Sequence, residues 1–180
     1  LEEISVENLT DATISILVVD NDANMSAKAI TEDAKAISKY AVTYLFQPIK
    51  GLSTVRNTAL EFAKNDDFIV FIDDDEQVVT QWLEELITTA RAHKAAFVIG
   101  PVRPTFPKFF IDSGLYSREE HQNGEAIYGG NSGNALIDIN FIKEKSIYFK
   151  ETFNCSGGED TFYFLEIIEN GGKGVFALNA

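Results

Sequence analysis

The sequence is short of several things, and each shortage excludes something. It has one cysteine, Cys155, in 180 residues. That rules out an internal disulfide framework and a cysteine-rich zinc site. Its two histidines, His93 and His121, lie far from Cys155 in sequence, so no Cys–His nucleophilic pair is suggested. No apolar run approaches the ~18 residues needed to cross a bilayer. The first residues show no basic stretch followed by an apolar one, so they do not read as a signal peptide. Basic residues are scarce: 15 Lys plus Arg face 28 Asp plus Glu, a net charge of −13. A nucleic-acid binder needs a basic face to neutralise phosphates, so nucleic acid is not an expected partner. A phosphate ligand stays open, because a divalent cation can bridge carboxylates to it.

What is present reads as an ordinary globular chain. Hydrophobic content is 45% and charged content 24%, which suits a folded domain with a real core. Short runs rich in β-branched or aromatic residues recur at Thr13–Val19, Ala41–Phe46, Phe68–Ile72, Ala95–Ile99, Ala135–Ile139 and Gly174–Leu178. Most do not alternate in polarity, as expected of strands buried on both faces of a mainly parallel sheet. Helical patterns lie between the early runs. Met25, Ala29, Ala34 and Ile37 give one, and Val55, Ala59, Phe62 and Ala63 the next. Trp82, Leu83, Leu86, Ile87 and Ala90 give a third, which Thr80 is placed to cap. The alternation predicts an α/β fold. Residues 100–134 carry three of the four prolines and six of the twelve glycines, which predicts a long functional loop. A last helix is expected from Glu159 to Glu169, with Phe162, Leu165 and Ile168 on one face, ended by Gly171 and Gly172.

Five stretches could carry chemistry. Asp20-Asn21-Asp22 follows an apolar strand, and ligands of open α/β sheets bind at that strand edge. A solvated turn capped by Asp22 or Asn24 reads as well there. Asp73-Asp74-Asp75-Glu76 follows five apolar residues. Packed carboxylates repel, and a hard cation such as Mg²⁺ or Mn²⁺ relieves them. Gly51 to Asn57 places Arg56, with Lys50 nearby, beside a helix start suited to an anion or a base carbonyl. Gly129-Gly130-Asn131-Ser132-Gly133-Asn134 would let backbone approach a ligand, or form a plain turn. Gly157-Gly158-Glu159-Asp160 puts two carboxylates at a helix start. The helix dipole alone favours acids there, and a general base is the functional alternative.

In this order and spacing, the five stretches resemble the family 2 glycosyltransferases of the GT-A fold. The resemblance spans nearly the whole chain. It implies a Rossmann-like α/β domain over 1–180, with a mixed, mainly parallel sheet and helices on both faces. Residues 1–100 would form the nucleotide-sugar half, and 101–180 the acceptor-binding and catalytic half. It implies transfer of a sugar, with inversion, from a nucleotide diphosphate donor, UDP by family habit, to a glycan or lipid-linked acceptor. Asp20, Asn21, Asp22 and Arg56 would contact the nucleotide, and Asp73 or Asp74 the ribose. Asp75, with Asp73, would hold Mn²⁺ or Mg²⁺ in a DxD-type motif. Asp160 would be the base with Glu159 beside it, and Gly130, Asn131 and Asn134 would face the acceptor. The expected setting is bacterial surface polysaccharide synthesis in the cytoplasm, at the inner membrane face.

Two features depart from the family pattern. The usual opening strand, ending in a Thr/Ser-Tyr-Asn type motif, is not found, and the chain opens at Leu1-Glu2-Glu3-Ile4. These residues are therefore expected to lack an inner strand, as an excerpt of a longer protein would. Phe162 stands where many relatives have an acid. The residue patterns also leave two alternatives: a receiver-type, Mg²⁺-binding phosphoacceptor domain built on Asp20, Asp22 and Asp73, and a nucleotide-sugar-binding module without catalysis.

Overall fold

A computed structural model describes residues 4–6, 9–103 and 121–180. Its strands are β1 (Ser15–Asp20), β2 (Ala41–Phe46), β3 (Phe68–Ile72), β4 (Phe97–Ile99), β5 (Ala126–Ile127), β6 (Asn134–Asp138) and β7 (Gly174–Phe176). Its helices are α1 (Ala27–Ile37), α2 (Leu52–Phe62), α3 (Trp82–His93), α4 (Ile139–Lys145) and α5 (Glu159–Glu169). A 3-10 turn covers Glu151–Phe153. The aromatic residues Phe106, Phe109, Phe110 and Tyr116 of the expected long loop lie outside the described residues.

The fold is mixed α/β. Strand order in the larger sheet is β3-β6-β4-β7-β5. β6 runs antiparallel between β3 and β4, while β4 and β7 are parallel. β1 and β2 form a separate parallel pair. Among the described residues the strands thus form two sheets, a pair and a set of five.

Helices cover both faces of the larger sheet, and the strands alternate between them, as the twofold period of a strand requires. Ile69, Phe71, Phe97, Ile99, Ala135, Ile137 and Phe176 point toward α2, α4 and α5. Phe68, Val70, Ile72, Val98, Leu136 and Val175 point toward α3. Both faces are apolar, which is why the alternation was invisible in the sequence.

Several expected faces shift. In α5 the buried apolar residues are Tyr163, Phe164 and Ile167, whereas Phe162 and Leu165 are exposed. Two faces of that helix are apolar, and Tyr163 wins the core by stacking on Phe149 with ring centroids 3.8 Å apart. In α1 the one buried residue is Thr31, and Ile30 and Ile37 are exposed, so its apolar stripe does not mark a core face. The N-cap of α3 is Gln81, not Thr80, because the Trp82 amide already donates to the Val79 carbonyl. The β5 and α4 segments gave no clear signal in the sequence. α4 is started by Asp138, whose side chain accepts from the Phe141 amide at 3.0 Å.

Candidate active site

Sheet register builds the site. Ile72 at the end of β3 pairs with Asn134 at the start of β6. Asp73, next along β3, therefore lies beside Gly133, the residue before β6. A Cβ at Gly133 would stand 2.9 Å from Glu76 Oε1 and 3.2 Å from Asp73 Oδ2. A side chain there would displace both carboxylates, so this glycine is what lets the loop approach them.

α5 brings the second acid pair. Gly158 sits at φ 90°, a left-handed turn that favours glycine, and Glu159 and Asp160 follow in the first helical turn. Arg56 of α2 reaches both acids. Its Nη1 is 2.7 Å from Glu159 Oε1 and 2.8 Å from Asp160 Oδ1. Ser132 donates to the same aspartate, from its amide to Oδ2 at 3.1 Å and from Oγ to Oδ1 at 3.0 Å and Oδ2 at 3.1 Å. The charge of Arg56, the nucleotide contact that the resemblance implies, is engaged with these two carboxylates.

Arg56 is itself held. Its guanidinium lies 5.4 Å from the Phe149 ring centroid. Asn57 pins the Phe149 backbone on both sides, donating to its carbonyl and accepting from its amide. Ser53 Oγ donates to the Lys150 carbonyl, and Thr54 exchanges two hydrogen bonds with Asn154. These polar stitches fix the start of α2 against residues 149–154. Sequence reasoning singled out none of Phe149, Asn154 or Ser132 as site residues. Phe149 and Asn154 meet α2 residues 92 and 100 positions away, and Ser132 meets Asp160 28 positions on, all beyond the reach of a local pattern.

The Asp73–Glu76 cluster is different. Asp73, Asp74 and Asp75 are exposed and Glu76 half-buried. Desolvation, opposed by the Arg56 charge and reinforced by Asp75, Asp160 and Asp74, raises the Asp73 carboxyl above the ordinary range. Desolvation, with Asp73 and Asp75, does the same to Glu76. Asp160 is one of the charges acting on Asp73, and the loop links the two groups: Ser132 holds Asp160, and the Asp73 and Glu76 carboxylates lie beside Gly133. Among the described residues, no three His, Cys, Asp or Glu side chains gather as a ready metal centre. The donors near Gly133 are all oxygens, from Asp73, Glu76 and the Asn131 amide. That chemistry fits a hard cation such as Mg²⁺ or Mn²⁺, with further oxygens supplied from outside the protein.

Asp20–Asp22 form a second grouping at the end of β1. Asp20 is buried, and its oxygens accept from the Asp22 amide, the Ala27 amide and the Tyr44 hydroxyl. It organises the turn into α1. Asp22 accepts from the Asn24 amide, and a hydrogen bond from Ser26 leads in holding its carboxyl below the usual range, with Lys50 adding charge attraction. Asn134 is turned inward: Trp82 Nε1 donates to its oxygen at 2.8 Å, and its amide donates to the Pro101 carbonyl at 3.3 Å. It props the loop from beneath. Asn131 is exposed on that loop, and a side chain at Gly130 would run into Ile99. An open cleft of about 530 Å³ between β2, α2 and the 3-10 turn is lined by none of the expected site residues. Among the described residues no helix is long and apolar enough to cross a membrane.

The sequence and the fold have counterparts among known proteins. The chain is 33% identical over 185 residues to the Succinoglycan biosynthesis protein ExoM of Rhizobium meliloti (strain 1021), covering all of this chain and 60% of that protein. A second relative, the Putative glycosyltransferase EpsH of Bacillus subtilis (strain 168), is 34% identical over 48% of this chain and 24% of its own length. The chain therefore spans less than two thirds of the length of either relative. In structure it resembles S. aureus TarS 1-349 in complex with UDP, with a TM-score of 0.64 and 17% identity over 91% of this chain and 48% of that one. At that identity the likeness speaks for the GT-A fold. Glycosyl transferase family 2 matches residues 4–159, which sets the receiver-type alternative aside, and the chain belongs to that family.

Proposed function

We propose that this chain carries the donor-binding and base-bearing part of an inverting, metal-dependent glycosyltransferase that uses a UDP-linked sugar. The observation that carries the reading is Asp160. It sits at a helix start, Ser132 and Arg56 orient its carboxylate, and Ser132 adjoins the glycine beside which Asp73 and Glu76 lie. Asp160 is the base that takes the proton of the acceptor hydroxyl. Glu159, buried against Arg56, serves as a charge partner rather than a second base. Asn21 and Asp22 meet the nucleotide over the turn that Asp20 organises. Asp73 or Asp74 receives the ribose, and Asp75 with Asp73 holds the divalent cation. When bound, that cation supplies neutralisation of the charge on the leaving diphosphate. Gly130 and Asn131 border the acceptor, a glycan or lipid-linked hydroxyl. A UDP complex in TarS and the succinoglycan role in ExoM's name support the donor and a place in surface polysaccharide synthesis. The matching setting is the cytoplasm, at the inner face of the membrane.

The test is calorimetry and product assay of the intact protein with UDP-, GDP- and dTDP-sugars, each with and without Mn²⁺. Binding and turnover of a UDP-sugar that both require Mn²⁺ are expected. Mn²⁺-dependent binding with no turnover would favour a non-catalytic module. Binding of no nucleotide sugar at all would sink the proposal.

A further inference from the structure

We propose that Ser132 is the positioning residue of this site, and that it assigns Asp160 Oδ2 as the atom that takes the proton. This rests on the reading of Asp160 as the base. The argument is a count of donors. Asp160 Oδ1 faces the Arg56 guanidinium at 2.8 Å and Ser132 Oγ at 3.0 Å. Asp160 Oδ2 faces the Ser132 amide at 3.1 Å and the same Oγ at 3.1 Å. A hydroxyl has one hydrogen and gives it to one oxygen at a time. When Ser132 gives it to Oδ1, that oxygen has two donors, one of them cationic. Among the described residues, Oδ2 then keeps only a neutral amide and an open lone pair. The acceptor O–H proton passes to Oδ2. The freed oxygen pair forms the bond to the anomeric carbon, and the carbon–oxygen bond to the diphosphate breaks with its pair leaving on the diphosphate.

Burial supports the role. Ser132 is 1% exposed, and a hydroxyl desolvated that far is costly unless it is hydrogen-bonded. The carboxylate of Asp160 is its partner. Ser132 also adjoins Gly133, against which the Asp73 and Glu76 carboxylates pack. One short loop therefore sets the distance between the base and the acidic donor cluster.

The experiment follows UDP release from UDP-glucose, UDP-galactose and UDP-N-acetylglucosamine, with water as acceptor and Mn²⁺ present. It uses the intact protein, Ser132→Ala, Asp160→Asn and the double variant, each checked by its melting temperature. Ser132→Ala keeps the amide donor, so kcat should fall roughly tenfold, the loss of one hydrogen bond to a charged group. KM for the donor should hold, and the change should cost nothing further in the Asp160→Asn background, since both act through one carboxylate. An unchanged kcat in Ser132→Ala beside an inert Asp160→Asn overturns the assignment and leaves the base standing. A Ser132 loss that appears in KM, or that adds in full to the Asp160 loss, overturns it equally. Full turnover by Asp160→Asn, or none by the unaltered protein, removes the base reading and this inference with it.

Discussion

The site contains two groups of neighbouring acids, and the fold treats them in opposite ways. Glu159 and Asp160 are met by Arg56, by Ser132 and by the start of a helix. Their charge is answered from within the protein. Asp73, Asp74, Asp75 and Glu76 stand mostly open; desolvation with the Asp75, Asp160 and Asp74 charges holds Asp73 above the usual carboxylate range, and desolvation with Asp73 and Asp75 does so for Glu76. Arg56 acts on Asp73 only at a distance. The contrast separates acids whose charge is answered inside the protein from acids left open to solvent. Acid count is the same kind of signal in both places, and only the partners differ.

The largest way to break this contrast is at the base. Asp160→Asn keeps the shape and removes the proton acceptor, so turnover should fall by about 10²–10⁴-fold, while Mn²⁺-dependent donor binding by calorimetry stays intact. Next comes the internal cation. Arg56→Ala leaves Glu159, whose side chain is 7% exposed, without its partner. Breaking a buried pair costs about 3–5 kcal/mol, and the low end is expected because the helix start still favours both acids. Denaturant unfolding should show that loss, and an unchanged midpoint would mean the pair is not structural. Asp75→Ala should abolish the Mn²⁺ dependence of donor binding and leave the melting temperature near its original value.

The smallest effect concerns pH. Asp73 has its folded-state carboxyl raised above the ordinary value of 3.8. The folded state then holds its proton more tightly, so this group lowers stability as pH rises from about 4. Asp73→Asn should therefore raise the melting temperature by about 1–2 °C at pH 7 in cation-free buffer. The gain should vanish near pH 4, where the native carboxyl is protonated. A lower melting temperature at pH 7 would show that Arg56 attraction outweighs desolvation.

Much of this was legible from the residues. Phe68–Ile72 and Ala41–Phe46 are strands with the expected bounds, and α5 runs from Glu159 to Glu169 as its glycines and acids indicated. Long runs of apolar residues mark strands whichever face they use. What stayed hidden was pairing at long range. Nothing local says that β6 turns back between β3 and β4, and that reversal places Gly133 against Asp73. Nor does a helix with two apolar stripes say which one will be buried, as Tyr163 and Phe164 show. Arg56 was visible as a cation near a helix start, but its acids lie 103 positions on.

Those separations carry a consequence for synthesis. α2 is tied down by contacts to residues 92 to 100 positions later: Asn57 to Phe149, Ser53 to Lys150 and Thr54 to Asn154. A ribosome adds about 5–20 residues per second, so some 5–20 s pass between the emergence of α2 and that of its anchors. Through that interval Arg56 has neither the Phe149 ring beneath it nor the carboxylates it neutralises. The half of the chain bearing Asp20 and Asp73 is complete on the ribosome well before the guanidinium has anywhere to go.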